Sequence, residues 1–204
     1  NPPPMAGSSV PVTVSNDGKT LYVAKFDDGK ATGDLEAWSL SAASIPTSVK
    51  WRAAKKLDAR SRLASKRNAL TYSEGRGVRM EWNRLSDDQK ADFLVGRSAE
   101  ATDQARLKFL LGDRSKEGGE FHQRSSVLGP IARSAPVYVG KPNQTWLASA
   151  GVSAYAAFLK TAAKRDAMVY VGSNGGALHG FDAVSGEETL AYYPGALYRT
   201  GHGG

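Results

Sequence analysis

The side chains best suited to acid–base or metal chemistry are three histidines, His122, His179 and His202. None of them has a second histidine or a carboxylate at the spacing of a metal-binding motif, and the sequence contains no His-Glu-x-x-His. His179 follows Leu178 in a predicted strand, which favours a packing or surface role. Because cysteine is absent, thiolate metal sites, thiol catalysis and disulfides are excluded. We therefore predict no metal-binding residue.

Serine and phosphate chemistry have no clear signature either. A Ser-His-Asp triad stays open, because its members need not be adjacent in sequence, but the Gly-x-Ser-x-Gly elbow of many hydrolases is absent. The glycine-rich stretch 172–176 lacks the Lys-Ser/Thr end and the following helix of a phosphate-binding loop, so we interpret it as a hairpin turn. We predict no catalytic or cofactor-binding residue and do not expect an enzyme.

Basic side chains are concentrated between Lys50 and Arg67, where Asp58 is the sole acid, and they supply much of the net charge of +7. Such a patch could hold nucleic acid, lipopolysaccharide or an acidic partner, although a run of charges usually forms a solvated surface. Trp51 is the one aromatic residue nearby, which disfavours nucleic acid because stacking side chains are few. The candidate partner-binding residues are Lys55, Lys56, Arg60, Arg62, Lys66 and Arg67.

Length and composition indicate a chain with room for one ordinary domain. It has 204 residues, of which 41% are hydrophobic and 23% charged. No apolar run approaches the ~20 residues of a membrane-spanning helix, and no signal peptide is visible. Residues 1–9 are rich in Pro, Gly and Ser and are expected to form a linker. The start at Asn1 suggests a chain processed or cut from a longer one.

An internal repeat indicates the fold class. Leu-Tyr-Val-Ala at 21–24 recurs as Val-Tyr-Val-Gly at 137–140 and again at 169–172. A second element, Gly-x-Leu-x-small-aromatic, occupies 33–38 and 176–181. Small residues let strands or sheets approach closely, and the aromatic residue fills the space between packed sheets. Repeated hairpins of this kind are typical of β-propeller blades.

The elements that must position these residues are strands at both ends and helices in the middle. We expect hairpins at about 10–24, 20–40 and 167–193, and helices at about 87–95, 99–111 and 154–164. Residues 42–134 are interpreted as a mixed α/β insertion. The last helix carries an apolar stripe typical of a packing face, formed by Tyr155, Phe158, Leu159 and Ala162. The predicted fold is mainly β, a partial and open propeller, because a closed ring needs roughly four or more blades.

Two stretches resemble the signature of the PilY (PilC-type) proteins of type IV pilus tips and pilus assembly. The first comprises Gly-Asp-Arg-Ser-Lys-Glu at 112–117, Phe-His-Gln-Arg-Ser-Ser-Val-Leu-Gly-Pro-Ile at 121–131 and Ser-Ala-Pro-Val-Tyr-Val-Gly at 134–140. The second runs from Met-Val-Tyr-Val-Gly-Ser-Asn-Gly-Gly at 168–176 to Tyr-Pro at 193–194. Two positions depart from the family, since Pro130 stands where an acid is usual and His122 where arginine is usual.

The resemblance implies that residues 10–204 are the N-terminal part of a β-propeller similar in fold to the quinoprotein dehydrogenases. It implies an exported protein at the pilus tip, the outer-membrane surface or the periplasm, which acts in pilus biogenesis, retraction control and surface adhesion. The implied partners are minor pilins and the pilus tip, the remainder of the propeller, and a host or abiotic surface.

The resemblance also implies calcium, but in an Asp-rich loop beyond this segment, so no cofactor is expected here. Calcium takes six to eight oxygen ligands, several of them carboxylates at alternate positions. The loop of Thr13, Ser15, Asp17 and Gly18 offers one carboxylate, and Asp27-Asp28-Gly29 places its two acids at adjacent positions.

Two alternative functions stay open. Residues 168–193 are similar to the repeat of pyrroloquinoline-quinone-dependent dehydrogenases, so the chain could be a fragment of such a propeller. The missing cysteines and the small number of blades disfavour this. The second alternative is a passive periplasmic propeller scaffold, against which the signature at 112–140 argues.

Overall fold

The computed structural model describes residues 10–27, 32–96, 104–142 and 153–197. The described chain is mainly β and forms two open sheets, which confirms the predicted fold class of a partial propeller. The expected linker at 1–9 lies outside the described residues.

The first sheet is an antiparallel meander of four strands. They are β1 (Val12–Val14), β2 (Thr20–Asp27), β3 (Thr32–Leu40) and β4 (Pro46–Arg52), and their order in the sheet is their order in the chain. The turn between β1 and β2 has Gly18 at a φ of +69°, which glycine adopts without strain. The hairpins expected at about 10–24 and 20–40 are therefore confirmed.

The second sheet contains β5 (Ala69–Ser73), β6 (Arg76–Arg79), β7 (Val137–Val139), β8 (Met168–Gly172), β9 (Leu178–Asp182) and β10 (Glu188–Tyr193). Strands β7 to β10 form an antiparallel meander like that of the first sheet. The β5–β6 hairpin is added to its edge, because β5 pairs in parallel with β10. The strand order is β6-β5-β10-β9-β8-β7.

The segment 42–134, expected to be an insertion, contributes strands to both sheets. It supplies β4 to the first sheet and the β5–β6 hairpin to the second. Its described residues also form four α-helices, α1 (Ala53–Asp58), α2 (Leu63–Lys66), α3 (Asp87–Leu94) and α4 (Ala105–Leu111).

Local sequence signals explain the ends of these helices. Ser86 and Gln89 form the predicted capping box at the start of α3, each side chain bonding to the other's backbone N–H. Gly112 ends α4 in the left-handed conformation. The expected start of α4 near residue 99 lies outside the described residues. The last helix, α5 (Ser153–Ala162), also appears as expected, but Ala162 is buried while Phe158 is 47% exposed. Within the described residues, the predicted packing face of α5 is therefore only partly buried.

The main core lies between the two sheets. Tyr22 and Leu35 of the first sheet pack in one cluster with Val169 and Phe181 of the second. The tyrosine hydroxyl of Tyr22 donates a hydrogen bond to the carbonyl of Ala183 at 3.1 Å. The aromatic residue of each repeat is buried, as the sequence pattern predicts. Packing of one meander against the next is the arrangement of neighbouring propeller blades.

Candidate functional site

The six basic candidates do not form one surface. Lys55, Arg62 and Lys66 are exposed. Nζ of Lys56 lies 3.4 Å from Oε1 of Glu187, which directly precedes β10 of the second sheet. Arg60 donates a hydrogen bond to the backbone carbonyl of residue 188 at 3.1 Å. Arg67 is buried, so it does not face a partner in the described structure. The role of the exposed members in binding stays a prediction.

Arg67 forms a buried ion pair with Glu188 of β10. Its Nε lies 2.7 Å from Oε2 and its Nη2 lies 2.8 Å from Oε1, so the two planar groups are joined by parallel hydrogen bonds. The remaining nitrogen, Nη1, donates to the hydroxyl of Tyr193 at 3.1 Å, and that hydroxyl donates to the carbonyl of Leu110 at 3.0 Å. The ion pair therefore ties α2, α4 and β10 together.

His179 and Ser173 extend this network toward a small cavity. Nδ1 of His179 lies 2.7 Å from Oε1 of Glu188, and its Nε2 lies 2.9 Å from Oγ of Ser173. When the Nδ1–H of His179 donates a hydrogen bond to the carboxylate, its Nε2 accepts one from the serine hydroxyl. The imidazole is 2% exposed and stacks on Phe181. A cavity of about 370 Å³ borders both Ser173 and His179.

The network shifts the protonation of its members. Burial alone would raise the pKa of Glu188, but hydrogen bonds from His179 and Arg67 outweigh it and lower the pKa to about 2. Burial lowers the pKa of His179 below its ordinary value, against the opposing effect of Glu188. At neutral pH the network therefore contains a charged arginine, a charged glutamate and a neutral histidine.

The first sheet contains a second buried carboxylate, and it stands at the position that corresponds to His179. Glu36 is the residue between leucine and the small residue in the first repeat, where His179 stands in the second. It lies 2.6 Å from Nζ of Lys25 and 3.0 Å from Nε of Arg52, and it accepts a hydrogen bond from the indole of Trp38. Sequence reasoning missed both networks. The signal available was a polar residue at the same position of both repeats.

Part of the 112–140 signature forms a charged cluster beside α4. Glu117 lies 2.7 Å from Nε of Arg124 and 3.1 Å from Nε of Arg114. The guanidinium of Arg124 stacks 3.7 Å from the ring centre of Phe109, and that ring packs edge-on against His122. Burial alone would raise the pKa of Glu117, but the hydrogen bonds from the arginines lower it. These contacts hold the loop after α4 in one conformation.

The next part of the signature passes between the two sheets. Leu128 and Ile131 are buried in the main core. The carbonyl of Pro130 accepts a hydrogen bond from the backbone N–H of Asn174 at 2.7 Å. A Cβ on Gly129 would stand 2.5 Å from the backbone nitrogen of Gly175, so both backbones approach closely. The signature is therefore a structural element that joins neighbouring sheets.

The comparisons with known proteins agree with the family resemblance that the sequence motifs indicated. The profile of the PilY1 beta-propeller domain matches residues 128–204. The type IV pilus biogenesis factor PilY1 homolog of Xylella fastidiosa is 36% identical over 187 residues, which cover 88% of this chain and 14% of that protein. The type IV pilus biogenesis factor PilY1 of Pseudomonas aeruginosa strain PAK is 37% identical over 200 residues, which cover 89% of this chain and 17% of that protein. The chain belongs to the PilY1 β-propeller family.

This PilY1-type chain spans about one-sixth of the length of the curated relatives it matches. No solved structure matches it. Within the described residues, no helix has the length and apolar character needed to cross a membrane.

In the described part of the chain, no group of three or more His, Asp or Glu side chains is placed to hold a metal. The carboxylate of Asp17 accepts hydrogen bonds from the hydroxyl of Ser15 at 2.5 Å and from the backbone of Lys19 at 3.1 Å. These bonds explain the loop as a hairpin turn. Asp28 and Gly29 lie outside the described residues.

Proposed function

We propose that this chain is a non-catalytic part of a type IV pilus biogenesis protein and contains the start of its β-propeller. The whole protein would act at the pilus tip in assembly, in countering retraction and in surface adhesion, with minor pilins as partners. One observation carries this proposal, the likeness to type IV pilus biogenesis factors over 88–89% of the chain. Such a protein is exported to the pilus, the outer-membrane surface or the periplasm.

A structural role for the buried network supports the non-catalytic part of the proposal. Ser173, His179 and Glu188 are bonded in the order of a nucleophile, a base and an acid. However, Arg67 already neutralises the carboxylate, so little negative charge is left to stabilise an imidazolium ion. We expect a fluorophosphonate probe to leave Ser173 unlabelled, and labelling that Ser173→Ala abolishes would contradict this.

The pilus role is tested by deleting the codons for residues 10–197 in the source bacterium. We expect surface pili and surface attachment to be lost. If the protein counters retraction, pili return when the retraction motor is also disabled, whereas an assembly role alone leaves the double mutant without pili. A matched control carries Arg76→Glu, which changes an exposed residue at the start of β6. Normal piliation in the deletion strain would overturn the proposal.

Two measurements separate this function from the alternatives. Titration with pyrroloquinoline quinone and a reducible dye should give no turnover, and turnover would favour a dehydrogenase. Purification from cells should recover minor pilins with the protein. Recovery of outer-membrane assembly components alone would favour a periplasmic scaffold.

A further inference from the structure

A cleft of about 920 Å³ lies between α1, α2, the β5–β6 hairpin and α4. Its size falls at the upper end of the range of about 300–1,000 Å³ that is usual for binding pockets. It is separate from the cavity beside Ser173. We call it the basic cleft, because its rim carries five basic residues, Arg60, Arg62, Arg79, Lys108 and Arg114.

The positive charge of the rim is only partly balanced locally, since Arg114 pairs with Glu117 at 3.1 Å and lies 3.9 Å from Asp58. Arg62, Arg79 and Lys108 are exposed and have no ion pair with any residue that the structure describes. They come from three different elements, α2 with its preceding turn, β6 and α4, so they surround the opening.

The acids of the rim are already engaged. Glu81 pairs with Arg84 at 3.0 Å, and Asp113 accepts a hydrogen bond from the backbone of Ser115 at 2.8 Å. Asp58 accepts a hydrogen bond from the backbone of Val127 at 2.9 Å. Asp58 and Asp113 keep their negative charge, but the rim carries five basic residues against three acids, so an anionic occupant would still meet an excess of positive charge.

The floor of the basic cleft is apolar. Leu63, Met80 and Leu107 line it, together with the partly buried ring of Trp82. An occupant made only of charged groups would leave this floor uncovered, whereas apolar side chains would gain free energy by burial there. Trp82 is the one aromatic residue in the lining and packs against Phe93, so the cleft lacks the stacking platforms of single-stranded nucleic acid sites.

We propose that the basic cleft binds a peptide segment of a partner protein in which acidic residues alternate with apolar ones. Its carboxylates pair with Arg62, Arg79 and Lys108, and its apolar side chains contact the floor. Charge complementarity of this kind provides specificity and speeds association. This site goes beyond the pilus role and does not depend on it.

The test measures binding of a fluorescein-labelled peptide of alternating glutamate and leucine to the full 204-residue chain by fluorescence anisotropy. The variant combines Arg62→Glu, Arg79→Glu and Lys108→Glu. We expect it to bind the peptide about tenfold more weakly or worse, because three ion pairs become repulsive. Binding to the wild-type chain should also weaken as salt is raised.

The matched control combines Arg76→Glu, Lys160→Glu and Lys164→Glu, which change the charge equally at exposed positions outside the cleft and outside the candidate partner-binding residues. It should bind the peptide as the wild-type chain does. Circular dichroism and thermal unfolding show whether both triple variants are folded, and the single variant Arg79→Glu replaces the cleft triple if that one is not.

Several outcomes would overturn the proposal. They are no binding by the wild-type chain, equal weakening in both triple variants, equal binding of a peptide with serine in place of leucine, and tighter binding of oligothymidylate than of the peptide. Amine labelling of Lys108 in the protein isolated from cells gives an independent check. If Lys108 is protected without added peptide and exposed after mild denaturation, the cleft is covered by the protein's own chain and the proposal fails.

Discussion

The indole ring of Trp51 lies against the backbone of Gly186, where a Cβ would stand 2.5 Å from Cδ2 of the ring. Trp51 belongs to the first sheet and Gly186 to the turn between β9 and β10 of the second, so this contact joins the two sheets. The indole N–H also donates to the carbonyl of Ala183 at 3.2 Å. Gly186 has a φ of +73°, so its position requires glycine for two separate reasons.

The first prediction concerns this contact. Gly186→Ala should lower the free energy of unfolding by about 2–4 kcal/mol, since backbone strain adds to a clash with Trp51. Gly18→Ala is the matched control, with a similar φ of +69° and no atom within 4 Å of the added Cβ, and should cost about 1 kcal/mol. Urea unfolding measures both. Equal losses would show that the contact with Trp51 does not hold the sheets together.

The second prediction concerns the buried ion pair. Arg67→Met should destabilise the chain by about 3–5 kcal/mol, because it leaves the carboxylate of Glu188 buried without a cation. The double variant Arg67→Met/Glu188→Met should lose less than the sum of the single variants. Lys66→Met, at an exposed neighbour, should stay within about 0.5 kcal/mol of wild type. Additive losses in the double variant would show that the pair is not coupled.

The third prediction is acid sensitivity. The pKa of Glu188 is lowered from 4.5 to about 2 in the folded chain, so its stabilising contribution is present above about pH 4.5 and is lost as pH falls toward 2. The lowered pKa of His179 acts in the same direction at higher pH, because the unfolded chain binds a proton below about pH 6.5 that the folded chain excludes.

Urea midpoints measured from pH 7 to pH 3 test this. The wild-type midpoint should fall in both windows, and His179→Gln should remove the decline that begins near pH 6.5. Glu188→Gln should flatten the lower window. A wild-type midpoint that rises on acidification would contradict the assigned protonation states.

The fourth prediction is association through the open sheet edge. Among the described strands, β1 pairs with β2 alone, and Val12 and Val14 are 46% and 43% exposed. An unpaired edge with exposed valines favours pairing between chains. Sedimentation should show concentration-dependent association or marginal stability, and Val12→Lys/Val14→Lys should reduce the association. Val184→Lys, in an exposed turn, is the control. A monomer that unfolds cooperatively at high temperature at all concentrations would oppose this prediction.

The fifth prediction is that calorimetry detects no specific calcium binding by this chain. Asp17 supplies one carboxylate to its loop, and two hydrogen bonds already engage that group. A one-to-one complex with micromolar affinity would show that the acidic loops near the N-terminus hold the ion.

The repeats made the two meanders predictable, because hairpins depend on residues close in sequence. The buried network was not predictable, since Arg67 and Glu188 are 121 positions apart. Arg67 also lies in a run of basic residues whose other members are exposed or partly exposed. The sequence of the run does not show which member is buried. The stripe of α5 illustrates the same limit. Periodicity predicts which face is apolar, but the neighbouring elements decide whether Phe158 is covered.

The parallel pairing of β5 with β10 determines when the second sheet can be completed. Thr71 donates its hydroxyl to the carbonyl of Tyr193, 122 positions later, whereas the strands of the first sheet follow one another directly. Closing so long a loop costs conformational entropy before any contact is gained, so such pairings form slowly. During synthesis, the first sheet can form while the β5–β6 hairpin still has an unpaired edge. The hairpin is joined to its sheet only after almost the whole described chain has left the ribosome.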